Sequence, residues 1–217
     1  MRRLILKMSI SVDGFVGGPA GEIDWIFRSA DDAALRWIEK TLQQAGAHVM
    51  GSRTFYDMAQ YWPTSADRLA PAMNEIPKIV FSSKEAVDPA ETALTTRAVR
   101  DKTRIDAAKG VLPATDVSPH AGTWRNATVV KGEIGAEIRK LKEQSGNPLL
   151  AHGGARFARS LAASGLIDEY RLLVHPVVLG SGLPLFAGLR MPLHMKLEES
   201  TVFDSGAVAN VYTPVRG

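Results

Sequence analysis

Three stretches of the chain place glycine, hydroxyl and cationic residues directly after a short apolar run, and that order can hold a phosphate. Leu149, Leu150 and Ala151 lead into His152-Gly153-Gly154, with Ala155, Arg156 and Phe157 behind them. Ala47–Met50 leads into Gly51, Ser52, Arg53 and Thr54, and Ile79-Val80-Phe81 leads into Ser82, Ser83 and Lys84. A strand that ends in glycine before a helix bares backbone N–H groups at the helix N-terminus, where the dipole also favours an anion. Hydroxyls add neutral donors, and a guanidinium binds two oxygens at once. Each stretch alone is weak, because paired glycines most often serve only a tight turn.

Asp31 and Asp32 stand in Ser29-Ala30-Asp31-Asp32, ahead of an amphipathic helix running to about Ala45. Ser29 or Asp31 can cap that helix, and carboxylates suit its positive end without any catalysis. Asp168-Glu169 reads as the flank of the strand that follows. His152 stands directly before paired glycines, where it could touch cofactor or substrate or simply bond the backbone. The five histidines (His48, His120, His152, His175, His194) include no i, i+4 pair, so no metal site is expected. Gly180-Ser181-Gly182 lacks the spacing of a nucleophile elbow. A Walker loop and the Gly-x-Gly-x-x-Gly dinucleotide fingerprint are both missing.

The elements that must position these residues follow from periodicity. Leu4–Val12 alternates loosely and reads as a strand, turned by Asp13-Gly14 into a glycine-rich loop over Phe15–Gly21. Met1-Arg2-Arg3 before Leu4–Ser9 looks superficially like a leader, but Lys7 interrupts the apolar run. Trp124–Val130 reads as a strand, and Ile134, Ile138 and Leu141 are spaced for a helix ending near Gly146. Phe157, Ala158, Leu161, Ala162 and Leu166 describe another helix, which Gly165 would stop. Tyr170–Leu179 reads as a buried strand with Pro176 marking an edge or kink. Met195–Phe203 and Ala207–Pro214 would form a C-terminal antiparallel hairpin. Between Glu85 and Thr123 periodicity fades, and the stretch reads as a surface insertion, with a hairpin or a dimer contact among the open readings.

A chain of 217 residues fits one domain, 1–217, with a sizeable core, and 45% hydrophobic with 23% charged residues is the usual balance of a globular protein. With no cysteine, disulfides and thiolate metal sites are excluded and a cytoplasmic location is expected. A net charge of +3 without a block of five basic residues speaks against nucleic acid, and no apolar run reaches the ~20 residues of a membrane span.

Taken together, Gly153-Gly154-Ala155, Gly165-Leu166-Ile167-Asp168-Glu169, Pro176–Gly180 and Gly182-Leu183-Pro184-Leu185-Phe186 resemble the dihydrofolate reductase-like superfamily. The likeness is strongest to its branch related to the reductase domain of the bifunctional riboflavin-biosynthesis deaminase/reductase. Ser11–Val16 is similar to that family's N-terminal signature, where the following loop covers the nicotinamide. The resemblance implies an α/β, three-layer fold with a central mixed, mostly parallel sheet, flanking helices and a C-terminal antiparallel hairpin. It implies NADPH as cofactor, gripped at Gly51–Thr54, Ser82–Lys84 and Gly153–Phe157, with Ser82, Ser83 and Lys84 on the extra ribose phosphate. Asp32, with Asp31 in reserve, would deliver the proton. One departure stands out: the family shows Gly-Arg-x-Thr where this chain has Ser52 in the arginine place and Arg53 one residue later. The expected activity is hydride transfer to a small heterocycle, pterin-like or general. The alternatives are a phosphorylated ribosylamino-pyrimidine of riboflavin synthesis, whose bifunctional enzyme carries a zinc deaminase this cysteine-free chain lacks, or a non-catalytic nucleotide-binding module. The substrate is thus a small molecule, and pairing into a homodimer through the C-terminal strands is expected.

Overall fold

Alternation along the first strand sets the two faces of the sheet. In β1 (Leu4–Ser11), Leu4, Leu6, Met8 and Ile10 join one buried cluster while Ile5 joins the other, so Lys7, Ser9 and Ser11 share the face of Ile5. The computed structural model describes residues 1–84, 86–89, 97–111, 113 and 116–215. After β1 come a 3-10 turn (Asp24–Arg28), α1 (Asp32–Gln43), β2 (Ala47–Gly51), α2 (Ser52–Tyr61), α3 (Ala70–Glu75) and β3 (Lys78–Phe81). Then follow α4 (Arg97–Ala108), α5 (Gly122–Arg125), β4 (Thr128–Val130), α6 (Ile134–Glu143), β5 (Leu149–His152) and α7 (Ala155–Ser164). The chain closes with β6 (Glu169–His175), β7 (Met195–Val202) and β8 (Val208–Pro214).

The strands form one eight-stranded sheet in the order β4-β3-β2-β5-β1-β6-β8-β7. Pairing is parallel from β4 to β6 and antiparallel for β6–β8 and β8–β7. Parallel pairing needs helical crossovers, so the C-terminal ends of β1 to β6 open on one edge. On one face Ile138 and Leu141 of α6 and Phe157, Ala158 and Leu161 of α7 pack on Leu4, Leu6, Val49, Ile79 and Ala151. On the other face Ile38 and Leu42 of α1, Phe55 of α2 and Met73 of α3 pack on Ile5, Met50, Val80 and Leu150. The result is the three-layer, mixed α/β architecture with a C-terminal hairpin that the sequence implied. β7, the outer strand, stays exposed on most of its length. No helix among the described residues is long and apolar enough to cross a membrane.

Element ends differ from expectation where a local rule wins. β6 stops at His175, before Pro176, because proline cannot donate to the ladder. Trp124 lies in the short helix α5, and the strand proper is only Thr128–Val130. Gly165 does stop α7, in the left-handed conformation at φ 67.

The Glu85–Thr123 stretch holds helix α4 and the first residues of α5 and, among its described residues, no hairpin. α4 escapes a hydrophobic-periodicity reading because a charge fastens it. Lys102 Nζ donates to Asp106 Oδ1 at 2.5 Å, Tyr61 OH at 2.8 Å and Asp67 Oδ2 at 2.9 Å, and Tyr61 in turn donates to Asp106. Both carboxylates are largely buried, so removing the cation strands them. Lys102→Ala is expected to destabilise the protein by about 3 kcal/mol in denaturant unfolding, with faster amide exchange along α4.

The glycine-rich loop after β1 is fastened too. Val16 N–H donates to Leu183 O at 2.9 Å, Leu183 N–H to Gly17 O at 2.8 Å and Leu185 N–H to Gly14 O at 3.1 Å. The two segments approach so closely that a Cβ on Gly182 would fall 2.3 Å from Gly17 O.

Candidate functional site

Two helices that begin at the C-terminal edge of the sheet are capped by acids and two are not. Asp31 accepts from Ala34 N–H at 2.7 Å and caps α1. Glu133 accepts from Gly135 and Ala136 N–H at 2.7 and 2.6 Å and caps α6. In contrast, α2 opens at Gly51 and α7 at Gly154, each without a side-chain cap. Their first-turn amides are therefore the donors left to an anion at this edge.

These two helix starts touch. Gly153 and Gly154 have φ of 74 and 69, and a Cβ on either would fall 2.5 Å from Thr54, at Cγ2 and Oγ1 respectively. A Cβ on Gly51 would lie 3.4 Å from Phe157 Cβ. The ring of Phe157 packs on that of Phe81, at the end of β3, with centroids 5.2 Å apart. Three strand ends, distant in sequence, thus meet around Thr54 and Phe157. Ser52 is part-exposed beside Gly51, Ala155 follows Gly154, and Arg53 and Arg156 stand exposed in the first turns of α2 and α7. In the third segment Ser82 N–H donates to Val130 O at 3.1 Å and Lys84 N–H to Ser82 Oγ at 3.1 Å. Ser83 is exposed, and Lys84 Nζ lies 5.9 Å from the ring centre of Tyr56 on α2. Glycines with positive φ, uncapped amides and exposed cations at one edge fit a polyphosphate-bearing cofactor.

On the face carrying α1 and α2, a row of nitrogen bases crosses the central strands. Lys7 of β1 is in register with His152 of β5 and with Arg171 of β6. Lys7 keeps intermediate exposure between buried Leu6 and Met8, and burial pushes its ammonium down to about 8. Burial, followed by the charge of Lys7, lowers His152 to about 3 and His175 to about 4. His48 of β2 is lowered by burial and by His152, its partner at 2.6 Å between His48 Nδ1 and His152 Nε2. His175 Nδ1 lies 2.8 Å from Ser29 Oγ, and Trp25 meets the His175 ring edge-on at 5.4 Å. The acid of this face, Glu169, lies at the opposite end of the strands and is held by Arg3 at 2.9 Å and Arg171 at 2.6 Å. Among the described residues no cluster could hold a metal ion.

The two acids expected to donate the proton have other partners in this structure. Asp31 is consumed as a cap and also accepts from Ser205 N–H at 2.9 Å, and these N–H groups hold its carboxyl below the usual range. Asp32 is 64% exposed and paired with Arg36 and Arg68. An acid that reaches water and two guanidiniums has neither the burial nor the freedom to protonate a substrate. Lys7 was available to sequence reasoning through parity alone: it shares its register with Ile5 and Ser9, and inward charge on a strand asks for a reason. His152 does face a partner, though an imidazole and not the backbone.

The family model of the RibD C-terminal domain matches residues 2–209. The chain is 30% identical over 211 residues to the uncharacterized protein YyaP of Bacillus subtilis (strain 168), covering 97% of this chain and 94% of that one. Its fold is similar to the diaminohydroxyphosphoribosylaminopyrimidine deaminase/5-amino-6-(5-phosphoribosylamino)uracil reductase of Thermotoga maritima, at TM-score 0.61 and 15% identity. That alignment covers 99% of this chain and 57% of the bifunctional protein, so this chain spans a little over half of its length. A dihydrofolate reductase from Enterococcus faecalis, solved with NADP(H), aligns at TM-score 0.54 and 12% identity over 99% of this chain and 97% of that one.

Proposed function

Because the chain belongs to the RibD C-terminal domain family, we propose that it is an NADPH-dependent reductase of a small pyrimidine-type heterocycle. The observation that carries the reading is the meeting of two glycine-led, uncapped helix starts at Thr54, one strand away from a half-buried lysine. The amides of α2 and α7, with Arg53 and Arg156, hold the cofactor's pyrophosphate, and Ser82, Ser83 and Lys84 take its extra ribose phosphate. When bound, NADPH supplies a hydride to the carbon of a C=N or C=O bond. Lys7 hands a proton to the heteroatom of that bond, and a lysine poised near 8 suits a general acid at neutral pH.

The substrate expectation shifts with this assignment. A pterin offers amine and ring N–H donors, for which folate reductases supply a carboxylate. Here the wall beside Lys7 is built of an ammonium and imidazoles, and both candidate carboxylates are turned to other work. Donors of this kind favour an acceptor-rich ring such as a uracil over a pterin. A cleft of about 370 Å³ between the Asp24–Arg28 turn and α4 is lined by Phe27, Arg104, Lys109 and the Asp24–Arg28 ion pair (3.1 Å), so its cations for a phosphorylated tail are chiefly Arg104 and Lys109. The same turn carries Trp25 against His175.

Calorimetric titration with NADPH, followed by NADPH oxidation on a panel of ribosylamino-pyrimidines and pterins, tests the proposal. Binding with turnover on a pyrimidine is the expected result. Binding without turnover on any of them would point to a nucleotide-binding module, and no binding at all ends the reductase reading. The two aspartates separate the rival donors: Asp32→Ala should leave kcat within about twofold and stability within about 0.5 kcal/mol. Asp31→Ala should cost about 1 kcal/mol of stability as a lost cap, read by thermal melting, without the collapse of turnover a donor would show.

A further inference from the structure

His48 has no part in the reaction as described, yet it is fully buried in the middle of the sheet with its Nδ1 2.6 Å from His152 Nε2. One proton lies between the two rings, since burial keeps both neutral. The other nitrogen of His48, Nε2, is sealed from solvent and has no partner. A buried N–H without an acceptor is rarer and costlier than a lone pair left spare. His48 therefore carries its proton on Nδ1 and donates it to His152 Nε2, leaving the bare lone pair at Nε2. His152, accepting at Nε2, must carry its own proton on Nδ1. That nitrogen is not among the sealed, unpartnered ones, and His152 sits between Lys7, its register partner, and the Gly153-Gly154 turn.

We infer that His48 is a positioning residue that fixes His152 as the Nδ1–H tautomer, so that His152 offers a specificity-determining donor to an acceptor atom of the bound heterocycle. The inference rests on the reductase reading for its ligand, but the tautomer itself does not. A neutral histidine side chain in water favours the Nε2–H form, so the assignment runs against the default and is open to direct test.

Nitrogen and carbon NMR of the histidine-labelled wild-type protein reads both tautomers without any variant. The expected result is Nδ1–H for His48 and His152, and an Nε2–H signature at His152 overturns the inference. Kinetics then tests the role. An asparagine side chain places an N–H close to the position of His48 Nδ1, whereas leucine places none. His48→Leu should raise KM for the heterocycle about five- to tenfold with kcat nearly unchanged, and His48→Asn should restore most of it. An increase that asparagine does not rescue marks His48 as mere packing and sinks the positioning role. NADPH affinity, measured on the same samples, should stay constant. Should NADPH fail to bind even the wild type, the reductase reading falls while the tautomer result stands or falls on its own spectrum.

Discussion

Replacing Lys7 with methionine is expected to lower kcat by about 10²–10⁴, with the protein still folded and still able to bind NADPH if the proposed reductase reading holds. Methionine keeps an unbranched apolar stem at this position and removes only the ammonium. The pH dependence identifies the group. A general acid works while protonated, so the wild-type rate should be level at lower pH and fall as pH rises through about 8, the position to which burial lowers Lys7. Stability moves with the opposite sense. A lysine lowered to about 8 in the folded chain and near 10.4 when unfolded binds fewer protons folded than unfolded between those values. Folding stability contributed by this group therefore rises with pH across that window, and Lys7→Met should lack its share of the rise. Lys78 adds to the same slope from about 7 upward, also through burial, so the variant flattens the curve without levelling it. A rate profile that falls on the acid side, or a methionine variant with near-normal turnover, would remove Lys7 as the donor.

Gly154→Ala should weaken NADPH binding roughly tenfold or more and cost about 1–3 kcal/mol of stability. The new methyl would lie 2.5 Å from Thr54 Oγ1, and the residue would have to hold φ 69 with ψ 96, which side chains resist. The turn must either keep that strain or move, and moving it would turn the α7 amides away from the anion they are proposed to hold. Thr54 is β-branched and cannot swing freely, so the helix start of α2 is disturbed as well. Adding Thr54→Ala should recover part of the stability, because the contact is relieved while the backbone conformation stays unfavourable. A double-mutant cycle on unfolding free energy would show that coupling, and strict additivity would mean that the two helix starts do not press on one another. Isothermal titration of each variant with NADPH reads the affinity side.

Much of this molecule can be read without coordinates, wherever the physics is local. Gly165 stops a helix because only a left-handed residue fits there, and the alternation of Leu4 to Ile10 makes β1 a strand with two buried faces. The glycines at 153 and 154 likewise advertise a backbone under demand. What stays hidden is nonlocal or polar. α4 is docked by Lys102, Asp106 and Tyr61, so its buried side carries charges where a periodicity search looks for leucines. The His48–His152 pair joins residues 104 positions apart, and nothing near either one announces the other. Asp31 and Asp32 are ambiguous for the reverse reason: a capping acid and a catalytic acid occupy the same place in sequence, and it takes coordinates to show the partners Ala34, Ser205, Arg36 and Arg68.

The stitching of Val16 and Leu185 to their facing segments has a thermodynamic corollary. A flap that is disordered until ligand arrives must lose its conformational freedom at that moment, and the loss appears as an unfavourable entropy of association. Here the freedom is already gone once the polypeptide has folded. Calorimetry should accordingly record only a modest entropic penalty when the dinucleotide docks, and deuterium uptake at the Val16, Leu183 and Leu185 amides should be slow in the apoprotein and barely slower in the complex.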